Sequence, residues 1–141
     1  MEAQLIQQSL LEFQPRTSFT ILNNGAVINL DFNEITHVSK YGNETVIHTQ
    51  MTRYRTYHSL QEIINDLPVN DFFSINQKQV IALKYINGIK RKRIQVGDYF
   101  LWLTKEARRQ LIGRIQKQLD EEYVFYDGNV IKRLPDHGVH L

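Results

Sequence analysis

Between Lys78 and Lys117 the chain carries eleven Lys/Arg side chains against two acidic ones, a local excess of nine positive charges. Residues 1–70 are the reverse, with four basic and seven acidic side chains, so the overall charge of +2 hides a strong asymmetry. The cations crowd onto turn signals, Lys90-Arg91-Lys92-Arg93 above all, and the amides of Asn76 and Gln77 stand beside Lys78. Ammonium, guanidinium and amide groups offered on loops capture anions, and a field this localised suits a polyanion such as nucleic acid. A solvated basic face without a partner is the plain alternative for any one charge run.

Covalent and metal chemistry find little support. The chain has no cysteine, which removes disulfides and thiolate chemistry. His37, His48, His58, His137 and His140 supply no helical metal pair, apart from His137 and His140 near the C-terminus. There is no phosphate-cradling glycine loop and no nucleophile elbow. His37 and His48 fall in strand-like runs, where a hydrogen-bonded sheet histidine is the expected role. The chain is expected to be no enzyme and to need no metal or cofactor.

The elements that must position the basic groups are readable in turn. At 141 residues and 42% hydrophobic content, the chain suits one domain with a modest core and short extensions. Leu5, Ile6, Leu10 and Phe13 recur at near-helical spacing until Pro15, which reads as a short amphipathic leader helix docking on the domain or a second subunit, with core packing or a disordered leader as the alternatives. Ser18 to Leu22 and Ala26 to Leu30 flank Asn23-Asn24-Gly25 as a hairpin. Ile35 to Lys40 and Thr45 to Gln50 alternate across Tyr41-Gly42-Asn43-Glu44, and the pattern continues toward Arg53 to Tyr57. Ser59 and Glu62 form a capping-box signal for a helix with Leu60, Ile63, Ile64 and Leu67 on one face, stopped by Pro68.

Further strands are predicted over Phe72 to Ile75, Gln79 to Leu83, Tyr85 to Ile89, Arg93 to Val96 and Tyr99 to Leu103. Asn76-Gln77-Lys78 is the loop in the first pair, and Gly97-Asp98 is a two-residue turn of the Gly-first type. Thr104 caps a last helix in which Ala107, Leu111, Ile115 and Leu119 recur every four residues. Tyr123 to Tyr126 and Val130-Ile131, around Asp127-Gly128-Asn129, read as one more hairpin. The expected fold is mostly β: several short antiparallel sheets packed as an elongated β sandwich, with a short helix near 59–67 and a terminal helix near 104–120.

The order and spacing of Ser59-Leu60, Leu67-Pro68, Phe72-Phe73-x-Ile75, Val80-Ile81-x-Leu83, Ile86 and Leu103-Thr104-Lys105 resemble the LytTR DNA-binding domain of bacterial transcription regulators. The likeness runs from about Thr17 to about Leu119 and implies that family's mostly β DNA-binding fold and transcriptional control. Where the family usually carries Arg, a hydrophobic residue, His and Arg after Phe73, this chain has Ser74, Ile75, Asn76 and Gln77. The usual Asn before Leu83 is Ala82. The valine-serine-arginine signature becomes Leu103, Thr104 and Lys105, which keeps size, hydroxyl and charge but exchanges a planar fork for a point charge. The resemblance therefore implies a base preference that differs from, or is weaker than, that of better-known members.

Carried over by position, the resemblance places contacts at Lys40-Tyr41-Gly42-Asn43, Asn76-Gln77-Lys78 and Thr104-Lys105. Amides pair with adenine N6 and N7, and lysine donates to guanine O6 or N7, making Asn76, Gln77, Lys105 and Asn43 the base-reading candidates. Lys40, Lys78, Lys90, Arg91, Lys92, Arg93, Arg108 and Arg109 are the phosphate candidates; Lys90 to Arg93 could alternatively guard a sheet edge. The expected organisation is a leader over 1–16, the LytTR-like domain over 17–120 and a C-terminal extension over 121–141. No receiver or sensor domain is expected within this length. The expected partner is double-stranded DNA, bound by two copies at paired or repeated sites. The competing expectation is a protein-interaction module on the same fold that meets a regulatory protein. Without a membrane-length apolar run or a signal-peptide pattern, the chain is expected in the cytoplasm with no membrane insertion.

Overall fold

The Asn24-Gly25 turn has both residues at positive φ (51° and 82°), the two-residue type whose twist matches its strands. It sets β1 (Ser18–Asn23) against β2 (Ala26–Asp31), with Asn23 opposite Ala26. The computed structural model describes residues 16–116, 123–126 and 129–132, so the predicted leader helix, the last turn of the terminal helix, His137 and His140 lie outside the described residues.

After a short 3-10 turn, β3 (Ile35–Tyr41), β4 (Glu44–Thr49) and β5 (Arg53–Thr56) form an antiparallel run. Helix α1 (Leu60–Asp66) follows; the Ser59 hydroxyl accepts from the Glu62 amide at 3.1 Å. The expected return bond from the Glu62 carboxylate is replaced by a contact with His58 Nδ1 at 3.1 Å, so only half of the capping box forms. Strands β6 (Phe72–Asn76), β7 (Gln79–Ala82), β8 (Ile86–Ile89), β9 (Arg93–Val96) and β10 (Tyr99–Trp102) precede α2 (Lys105–Arg114). The hairpin of β11 (Tyr123–Tyr126) and β12 (Asn129–Lys132) closes the described chain.

These strands make a two-stranded ribbon, a central sheet in the order β5-β4-β3-β7-β6 and an outer sheet in the order β10-β9-β8-β12-β11. The middle of the central sheet is buried on both faces, and β7 shows how. Val80 and Ala82 point into a core with Phe19, Ile21, Leu30, Leu60 and Ile63 from the ribbon and α1. Ile81 joins a second core built from Ile75, Ile86, Ile89, Ile94, Val96 and Leu101 with Ala107, Leu111 and Ile115 of α2. Side chains alternate faces along a strand, so a continuous apolar run such as Val80-Ile81-Ala82 belongs between two layers.

Candidate nucleic-acid interface

Two of the predicted contact turns meet. The Lys40 amide donates to the Lys78 carbonyl at 2.8 Å, tying the β3–β4 turn to the β6–β7 turn. Together Lys40, Tyr41, Gly42, Asn76, Gln77, Lys78 and Gln79 line an open concavity of about 730 Å³. Gly42 takes φ 59°, which the two-residue loop Gly42-Asn43 requires at its first position. Asn43 is exposed at that tip but does not line the concavity.

The loop expected over Asn76-Gln77-Lys78 is shorter than that, because Asn76 closes β6 opposite Gln79. Its Oδ1 accepts from the Lys78 amide at 2.8 Å and its Nδ2 donates to Gln79 Oε1 at 3.0 Å. The side chain thus builds the turn, as Asn commonly does. Gln77 and Lys78 are exposed at the tip.

A second group assembles at the start of α2. The Leu103 amide donates to the Lys92 carbonyl at 2.9 Å, and the Lys90 amide to the Arg93 carbonyl at 2.8 Å, which sets the Lys90-Arg91-Lys92 turn beside Thr104 and Lys105. Thr104 caps the helix, its hydroxyl accepting from the Ala107 amide at 3.1 Å. Lys105 is exposed in the first turn. Arg93 does not guard an edge, because β9 is paired on both sides, by β8 and β10. Its guanidinium lies 4.5 Å from the centre of the Phe100 ring. Arg109 is held by Glu106, with Nε donating to Oε2 at 3.1 Å, and this pairing keeps the exposed Glu106 carboxyl below its usual range. Arg108 is half-buried.

Helix α2, which follows the second group, packs on the second core. Arg114, at the far end of α2, donates to the Val69 carbonyl and sits 5.9 Å from the Phe73 ring, at the beginning of β6. Leu103 and Ala107, at the near end, share a core with Ile75. The far end of α2 is thus tied to the start of β6.

Arg53 and Arg55 were not among the candidates. They flank a groove of about 260 Å³ with Tyr41, Glu44, Val46 and His48, and Tyr41 is shared with the first concavity. Arg55 is 3.9 Å from Glu44. The signal lay in their two-residue spacing, which puts both on one face; strand register decides that the face adjoins Tyr41.

The histidines have a structural place. His37 and His48 are cross-strand partners in β3 and β4, their rings stacked at 4.0 Å and 8°, with the Tyr99 ring edge-on to both. The Thr36 hydroxyl donates to the His48 carbonyl at 3.2 Å, so in its 3.1 Å contact with His37 Nδ1 the ring nitrogen is the donor. Contrary to expectation, His48 is not a hydrogen-bonded histidine: neither ring nitrogen has a partner among the described residues. Burial, with repulsion from His48, lowers the His37 pKa to about 3. Burial, with repulsion from Arg53, lowers His48 to about 4. Both rings are neutral near pH 7, and the described residues contain no cluster of three or more metal-ligating side chains.

The model of the LytTr DNA-binding domain matches residues 25–121. The chain belongs to the LytTr DNA-binding domain family. The match takes in β2 through α2, including both groups of turns, and ends before the β11–β12 hairpin. Among solved structures, the chain is similar to the LytTr DNA-binding domain of a Bacillus cereus protein described as a methyl-accepting/DNA response regulator. That likeness has a TM-score of 0.60 at 11% identity and covers 71% of this chain and 97% of the other, which bears out the mostly β LytTr fold. No curated protein matches. No helix among the described residues is long and apolar enough to cross a membrane.

Proposed function

We propose that this LytTr domain binds double-stranded DNA through its turns and the start of α2, and thereby regulates transcription in the cytoplasm as two copies on paired sites. The observation that carries the reading is the Lys40–Lys78 backbone tie, which joins two of the candidate contact turns around one open concavity. Lys40, Lys78, Lys90, Arg91 and Lys92 contact phosphate, and Arg53 extends that surface past Tyr41. Gln77, Lys105 and Asn43 read base edges, whereas Asn76 serves by shaping the turn that presents Gln77. Arg108 and Arg109 are secondary phosphate contacts, Arg109 after exchanging Glu106 for phosphate.

With about five phosphates neutralised, log K should fall against log salt with a slope near −4 to −5. Neutralising Arg91, Lys92 and Arg93 together weakens binding to all duplexes alike, and Lys105→Ala changes the preference between sequences. A duplex titration over a salt series tests this. Retention that is absent at low salt would favour a protein-interaction module on the same fold, and equal losses across sequences for Lys105→Ala would remove that residue from base reading.

A further inference from the structure

Among the described residues, the outer face of the outer sheet is uncovered, and it carries the wrong side chains for idle surface. Trp102 is 78% exposed and Phe100 50% exposed, two residues apart on β10 and so on the same face. Trp102 lies opposite Arg93, and Phe100 opposite Gln95. The Arg93 guanidinium and Lys90 ammonium sit 4.5 and 5.9 Å from the Phe100 ring centre. Further across the sheet come Gly88, with no side chain, and Ile131, 42% exposed. Between Ile86 and Trp102 the cations are Lys90, Arg91, Lys92 and Arg93, and the single acid is Asp98, at the opposite end of β9 from that turn.

We infer that Phe100 and Trp102, with Arg93 and Lys90, form a second nucleic-acid site, one that stacks unpaired bases of a single strand. Aromatic faces at a two-residue strand spacing stand about 7 Å apart, which suits successive bases of an extended single strand. The guanidinium plane of Arg93 is itself a stacking surface, and the Lys90-Arg91-Lys92 turn supplies cations for the backbone. Charge selects this occupant over a second copy of the chain: pairing two such faces would bring one set of four cations against another. The aromatic platform is distinct from the turns that receive duplex DNA, since it stands on the sheet face and needs bases that are not paired, while the Lys90-Arg91-Lys92 turn borders both.

Trp102 is the only tryptophan in the chain, so its fluorescence reports this site alone. Titrating the protein with oligothymidylate of twelve nucleotides in low salt should quench it. In anisotropy measurements with labelled oligothymidylate, Trp102→Ala and Phe100→Ala should each weaken binding about 5- to 100-fold. Trp102→Phe should restore most of the affinity. Both alanine variants should keep duplex affinity within about twofold, because backbone and base-edge contacts there come from other residues. Three outcomes would overturn the inference: no quenching under conditions where the duplex binds, equal losses for duplex and single strand, or a change of oligomeric state in Trp102→Ala with oligothymidylate binding intact. Loss of duplex binding alone would count against the function proposed above and leave this site standing.

Discussion

Acid should destabilise this fold through two particular imidazoles. His37 and His48 are 1% and 4% exposed, with folded pKa values lowered from 6.5 to about 3 and about 4. Their folded pKa values are depressed, so the stability they allow is fully present above the unfolded value of 6.5 and is lost as pH falls toward 4 and 3. The unfolded chain takes up protons that the stacked, buried rings refuse. At pH 5 each histidine contributes a loss of about 2 kcal/mol by linkage, about 4 kcal/mol for the pair as an upper bound, against a few tenths at pH 7. Urea unfolding at steps from pH 7.5 to 5 measures the slope, and NMR of the ring Cε1 protons shows whether either imidazole titrates. His48→Phe keeps a ring against His37, removes two nitrogens without partners and should roughly halve the loss. Stability unchanged between pH 7.5 and 5, or ring protons titrating near 6.5 in the folded protein, would refute the reasoning.

Leu111 is fully buried in the core that seats α2, so Leu111→Ala should cost about 2 to 5 kcal/mol of unfolding free energy, and a loss under about 1 kcal/mol in a urea melt would contradict that packing. Thr104→Ala removes the hydroxyl that accepts from the Ala107 amide and should cost about 1 kcal/mol, while Thr104→Asp should hold stability near the parent value. Gly97 sits at φ 55°, and a β-carbon there would meet Thr36 at an ordinary 3.6 Å, so Gly97→Ala should lose about 1 kcal/mol from backbone strain alone. Thermal melts of the last two variants against the parent decide both.

Much of this architecture was legible because local signals agreed with the global fold. Asn24-Gly25 and Gly97-Asp98 announce their hairpins, and Thr104 announces α2. The apolar run Val80-Ile81-Ala82 is what a strand buried on two faces requires. What stayed hidden depends on register and on long-range pairing. Nothing in the residues themselves says that His37 faces His48, or that Arg53 and Arg55 line up beside Tyr41. The joining of β12 to β8 likewise rests on strands some forty residues apart. Within the site, the positions of Gln77, Lys78 and Lys105 followed from turn and cap signals. The use of Asn76 to build its own turn and of Glu106 to hold Arg109 came from side-chain choices among several local partners.

On the proposed function, the tied pair of turns at Lys40 and Lys78 and the turns before α2 all meet the same duplex DNA. The most direct test is an NMR titration of backbone amides with a short duplex at low salt. Shifts should concentrate at Lys40 to Asn43, Asn76 to Lys78, Lys90 to Lys92 and Thr104-Lys105, with the β1–β2 ribbon and α1 unmoved. Shifts centred on that ribbon and helix, or none at a salt concentration where binding is measured, would contradict it.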